Sequence, residues 1–106
     1  MIIKKISYPT SEEYYNKLFF DFKYNQLGFQ FGTVYLKKGT RIPEKGFTKH
    51  DSHEISIIQK GKLEMLNEDG SVKAYLKTGE VIYIKAFEAQ AANVLEDTKI
   101  IYVLIK

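Results

Sequence analysis

The stretch Thr48–Gly61, TKHDSHEISIIQKG, carries both histidines of the chain and decides how the rest is read. His50 and His53 stand three apart, Glu54 follows directly, and Ile55, Ile57 and Ile58 come next. In an extended strand, residues an even number apart share a face. Thr48, His50, Ser52 and Glu54 therefore point one way, and Lys49, Asp51, His53 and Ile55 the other. Three readings fit: a metal site, an acid/base pair, or the polar mouth of a strand whose isoleucines are core. His53 and Glu54, being adjacent, cannot hold one ion together without a bulge, whereas His50 and Glu54 can. A Glu54 turned inward is costly to bury alone, so it needs His50, a lysine or an ion beside it, and an ion pair with His50 is the metal-free arrangement. His53 falls outside, as a surface or interface histidine.

Outward from this stretch the pattern is β. EISIIQKGKLEML, SVKAYLK, VIYIKAF, AQAANVLE and KIIYVLIK read as strands, divided by NEDG, TGE and ED, each with turn chemistry. Asp69-Gly70 between two such runs is a hairpin signal, because glycine accepts the positive φ that tight turns need. On the other side, FQFGTVYLKK from Phe29 has the aromatic and β-branched content of a strand, and FFDFKYNQ alternates without deciding its type. Ser11 before EEYYNKLF, with Glu12 and Glu13 suited to a first helical turn, predicts one short N-terminal helix. IIKKI, residues 2–6, reads as a short strand. Closely punctuated strands of this kind make a sandwich or barrel. Runs such as IIYVLI are apolar on both faces, so one face fills the barrel and the other packs on a second sheet or another subunit.

The chain has 106 residues, which suits one domain, 1–106, with a barrel core of about 28–106. Its 44% hydrophobic content, with 8 Tyr and 7 Phe, suffices for a core and excludes a disordered class. With no cysteine, disulfides, thiolate chemistry and Cys-based zinc sites are excluded, so any metal must take N and O ligands. No signal-peptide pattern and no membrane-length apolar run occur, which leads to an expected cytoplasmic location without membrane association. The net charge of +3 is spread over scattered lysines; the best basic cluster, Lys37-Lys38 to Arg41, is too short for a nucleic-acid surface, and no nucleic-acid partner is expected. No helix-turn-helix pattern flanks the barrel, so a sensor built on it would pass its output through another protein.

The spacing of the opening stretch resembles the first signature of the cupin superfamily: Gly, five residues, His, one residue, His, three or four residues, Glu, six residues, Gly. His50, Glu54 and Gly61 fall in register. Thr48 stands where the first histidine would be, and Ile42 where the glycine would be. The second signature, Gly, five residues, Pro, one residue, Gly, two residues, His, three residues, Asn, aligns from Gly79. It then places Lys85, Phe87, Gln90 and Val94 at its proline, second glycine, histidine and asparagine. The 17 residues between Gly61 and Gly79 suit the short intermotif hairpin of small cupins.

The resemblance implies an all-β antiparallel double-stranded β-helix, a jelly-roll or cupin barrel, with a polar site inside. His50, Glu54 and Gln90 are the implied metal ligands. Two of the family's four ligand positions carry a hydroxyl and an amide, so a divalent transition metal would meet an incomplete set. His50 and Glu54 are the candidate catalytic pair, with His50 as a general base. Thr48, His50, Gln90, Phe31, Tyr35 and Phe87 are the candidate ligand-binding residues, and Phe29, Phe47 and Tyr83 are further aromatics able to line the barrel. The implied function is a small-molecule-binding cupin, a sensor or accessory protein with weak or no metal. The alternative is a metal-dependent enzyme of isomerase or dioxygenase type acting on a small carbohydrate or organic acid. A symmetric homodimer is the expected assembly.

Overall fold

The structure, a computed structural model, describes all of Met1–Lys106. Nine strands form: β1 Asn16–Tyr24, β2 Leu27–Leu36, β3 Arg41–Ile42, β4 His53–Lys60, β5 Lys62–Leu66, β6 Val72–Lys77, β7 Val81–Ile84, β8 Ala92–Val94 and β9 Thr98–Ile105. They make a five-stranded sheet ordered β1-β2-β9-β4-β7 and a four-stranded sheet ordered β3-β8-β5-β6, with every pairing antiparallel. From β2 onward the chain passes back and forth between the sheets and leaves the β5–β6 hairpin, turned at Asp69-Gly70, in the smaller one. No helix is long and apolar enough to cross a membrane.

Alternation decides the core. Along β4, Ser56 and Ile58 are buried while His53, Ile55 and Ile57 are exposed. Across the ladder, Ser56 faces Tyr102 and Ile58 faces Ile100 of β9. Leu36, Ile58, Leu63, Met65, Ile84, Ala92, Val94 and Ile100 form the buried cluster between the sheets. Burying each large aliphatic side chain contributes about 1.5–3 kcal/mol, which is what holds two sheets with few ion pairs together.

Two expectations for the N-terminus are corrected. The predicted helix does not form: residues 11–13 make only a turn, in which the Thr10 N–H donates to Glu13 Oε1 (2.8 Å) and the Glu13 N–H to the Thr10 carbonyl (3.2 Å). The helix-start signal at Ser11–Glu13 is real but local, and the aromatics after it gain more by pairing across strands. Phe22 stacks on Phe29 (centroids 5.2 Å) and Phe20 tilts against Phe31 (6.4 Å), so NKLFFDFKY becomes β1. Strand pairing therefore reaches N-terminally to Asn16, ahead of the expected barrel core. Residues 2–6 join no ladder. From among them Lys4 reaches β1 instead, its ammonium donating to the Phe19 carbonyl and sitting over the Phe20 ring.

Candidate functional site

A cavity of about 1000 Å³ opens between the sheets. Much of its lining is aliphatic: Ile58, Ile82, Ile84 and Ile100 from the five-stranded sheet, Leu63 and Met65 from the four-stranded one. A polar stripe runs along the five-stranded sheet because β4 and β9 alternate in phase. Glu54 and Ser56 project inward from β4, and Tyr102 projects from β9 opposite Ser56. Asn16 and Tyr15, at the start of β1, extend the stripe to the mouth.

Inside the stripe, Ser56, 2% exposed, donates its hydroxyl to Glu54 Oε2 (2.7 Å), and Tyr102 donates to Asn16 Oδ1. Gly32 makes room for that phenol, since a Cβ there would lie 2.4 Å from the Lys17 carbonyl oxygen and 2.6 Å from Tyr102 Oη. The Tyr15 phenol is pushed up to about 12, first by the adjacent Tyr14 hydroxyl, then by burial, and further by nearby charge that includes Glu54. Burial raises Tyr102 as well, the Asn16 bond opposes the rise, and the Glu54 charge adds to it. Both phenols are therefore neutral hydrogen-bonding groups at ordinary pH.

The positions singled out by spacing converge. Thr48 and Gln90 face each other across an isolated bridge and exchange backbone hydrogen bonds of 3.0 and 2.9 Å; with His50 and Glu54 they line this one cavity. His50 lies in the loop before β4, its carbonyl accepting the Phe87 N–H, and its side chain borders the mouth. His53 points outward as the alternation requires. It stacks on Tyr83 at 5.9 Å, with Nδ1 2.7 Å from the phenol oxygen.

Other expectations are corrected. Glu54 and His50 form no ion pair: the chain's ion pairs are Lys73–Glu88 and Lys106–Asp51, and Glu54 takes its hydrogen bond from Ser56. Of the aromatics that the sequence offered as lining, only Tyr35 borders the cavity. Phe31 and Phe29 lie on the outer face against β1, Tyr83 lies under His53, and Phe47 lies beneath the Arg41 guanidinium. Phe87 is 68% exposed, with φ at +65°, in a loop beyond the cavity. It holds a left-handed conformation at the position where the second signature has glycine. The period-2 rule explains the group on β2, whose inward positions are Val34 and Leu36. Reading by residue type missed Tyr15, Asn16, Ser56 and Tyr102. Ser56, two residues beyond Glu54, was legible from the same alternation.

No three or more His, Asp or Glu side chains come together so as to hold an ion. His50, Glu54 and Gln90 offer one imidazole, one carboxylate and one neutral amide, a set that does not fit a resident transition metal.

The architecture has well-defined relatives. A cupin-2 domain protein from Shewanella frigidimarina superposes with a TM-score of 0.65 at 19% identity, over 89% of this chain and 82% of that one. A double-stranded β-helix protein from Klebsiella pneumoniae gives 0.68 at 15% identity, over 93% and 75%. The chain has the double-stranded β-helix fold of small cupins. DMSP lyase DddQ from Ruegeria pomeroyi shares the fold with a TM-score of 0.57 at 22% identity, covering 74% of this chain and 38% of the lyase. No family model matches the sequence, and neither does any curated protein.

Proposed function

We propose that this cupin is a small-molecule-binding protein, a sensor or accessory factor, whose ligand occupies the barrel. The carrying observation is the cavity of about 1000 Å³, at the upper end of the usual range for small-ligand sites, whose largely aliphatic lining carries a short polar stripe. Thr48, His50, Glu54 and Gln90 orient the ligand, and Tyr35 borders its entry. The alternative of a metal-dependent isomerase or dioxygenase has less support, because the donor set is incomplete. His50 as a metal-free general base is compatible with its place at the mouth.

The test is a thermal-shift screen of small organic molecules on the wild type and on Ala92→Leu, which fills the cavity from β8. A ligand at a hundred times its Kd stabilises by about 2.7 kcal/mol, a shift of roughly 10 °C in Tm for a domain of this size. Compounds that shift the wild type and not the filled variant support the reading; compounds that shift both equally, or none that shift either, overturn it.

A second copy of the chain is the proposed partner for the outer face of the five-stranded sheet. Ile55 and Ile57 are each 42% exposed, Val81 63% and Tyr83 58%, in rows that continue through Val103 to Phe31. Such a face, with no charged side chain in those central rows, suits a contact with its own copy about a two-fold axis. Light scattering at micromolar concentration should give twice the 12.3 kDa chain mass, and Ile57→Lys should halve it. A 12.3 kDa particle for the wild type would refute the dimer.

A further inference from the structure

Glu54 is the one ionisable carboxylate on the inward positions of β4, whose other inward residues are Ser56 and Ile58. No Lys, Arg or His nitrogen lies within 4.0 Å of it. Its protein partner is the neutral hydroxyl of Ser56. The basic residues that border the cavity leave it unneutralised. Arg41 directs Nη1 to the carbonyls of Pro43 (2.8 Å) and Gly46 (2.9 Å), with its guanidinium over Phe47, and neither Lys37 nor His50 reaches the carboxylate. Two more carboxylates, Glu13 and Glu44, stand at the rim.

A carboxylate in a half-dry, aliphatic-walled site keeps a desolvation cost that a hydroxyl offsets only in part, and an arriving cation would offset far more. An arriving anion would add repulsion at reduced dielectric. Beside Glu54 the polar lining includes Tyr15, Asn16, Thr48, Gln90 and Tyr102, none of them cationic, and the apolar lining includes Leu63, Met65, Ile84 and Ile100. An occupant that suits both ends has a positive hydrogen-bond donor on an apolar body. A bare metal ion would satisfy the carboxylate and leave the aliphatic wall empty.

Resting on the reading of the barrel as a small-molecule site, we infer that the cavity selects small amphipathic organic cations, a primary ammonium on a hydrocarbon body, with Glu54 as its anionic anchor and the aliphatic wall taking the tail. This assigns Glu54 a role that no metal shares. It also sets the sign of ligand charge that the cavity rejects.

The experiment is calorimetry at pH 7 with EDTA present, using three probes of one tail length: hexylammonium, hexan-1-ol and hexanoate. The wild type should bind hexylammonium at least tenfold more tightly than hexanol, with hexanoate weakest. Glu54→Gln, which keeps an acceptor for Ser56, should bring the three probes within about threefold of one another, and Glu54→Asp should retain the order. Hexanoate or hexanol binding as tightly as hexylammonium, or Glu54→Gln keeping the preference, overturns the inference and leaves the cavity reading standing. Failure of all three probes to bind removes the cavity reading and the inference together. Should the Glu54 variants not fold, the ranking of the three probes on the wild type decides alone.

Discussion

Gly61 joins β4 of the larger sheet to β5 of the smaller one, and substituting it by alanine measures how tightly that corner is built. Two costs arise. Its φ of +115° lies in a region that side chains rarely adopt, a strain of about 1–3 kcal/mol. An added Cβ would meet Thr98 Oγ1 at 2.3 Å, Thr98 Cα at 2.6 Å and the Asp97 carbonyl oxygen at 2.7 Å. Thr98 cannot swing aside, because it is fully buried and its hydroxyl bridges the Glu96 carbonyl and the Lys62 N–H. Overpacking against fixed atoms costs about 1–3 kcal/mol more. Together these come to roughly 2–6 kcal/mol, out of about 5–15 kcal/mol for a whole domain. Gly79→Ala is the control, since its φ is +89° and nothing lies within 4 Å of its Cβ position. Urea unfolding followed by far-UV circular dichroism at fixed protein concentration reads both. With an m-value of about 1.5 kcal/mol/M, Gly61→Ala should lower the midpoint by about 1.5–4 M, and Gly79→Ala by clearly less. Equal shifts for the two variants would refute the close approach at Gly61.

Stability should fall at high pH. The Tyr15 and Tyr102 phenols are raised in the folded state above the unfolded value near 10, so their contribution is complete below pH 10 and is lost as pH rises above it, for Tyr15 toward about 12. Melting curves between pH 9 and 11.5 should drop more steeply for wild type than for Tyr15→Phe, and parallel profiles would contradict this. Zn²⁺ calorimetry should show weak, substoichiometric binding by wild type and a large gain for Thr48→His with Gln90→His, because these facing positions border the same cavity as His50 and Glu54; nanomolar binding by wild type would reverse the reading of the donor set. Replacing outward His53 by alanine should cost under about 1 kcal/mol, whereas Thr98→Val, which strips a fully buried hydroxyl from two backbone groups, should cost about 1–3 kcal/mol in the same urea assay.

The sequence by itself determined the β class, the hairpin at Asp69-Gly70, the inward and outward faces of β4, and the cupin resemblance through His50, Glu54 and Gly61. These are local properties: period-2 alternation and the φ demands of turns are set by residues a few positions apart. Tertiary structure decided what depends on pairing between distant segments. EEYYNKLFF has both a helix start and strand-forming aromatics, and the competition was settled by Phe29 and Phe31 across the ladder. The Glu54–Ser56–Tyr102–Asn16 stripe draws on residues as many as 86 apart, so no spacing rule could assemble it. The aromatics chosen by type went to the outer face because a one-position change in register exchanges the two sides of a strand. Whether Glu54 has a cation beside it is also a distance in three dimensions, which no spacing along the chain encodes.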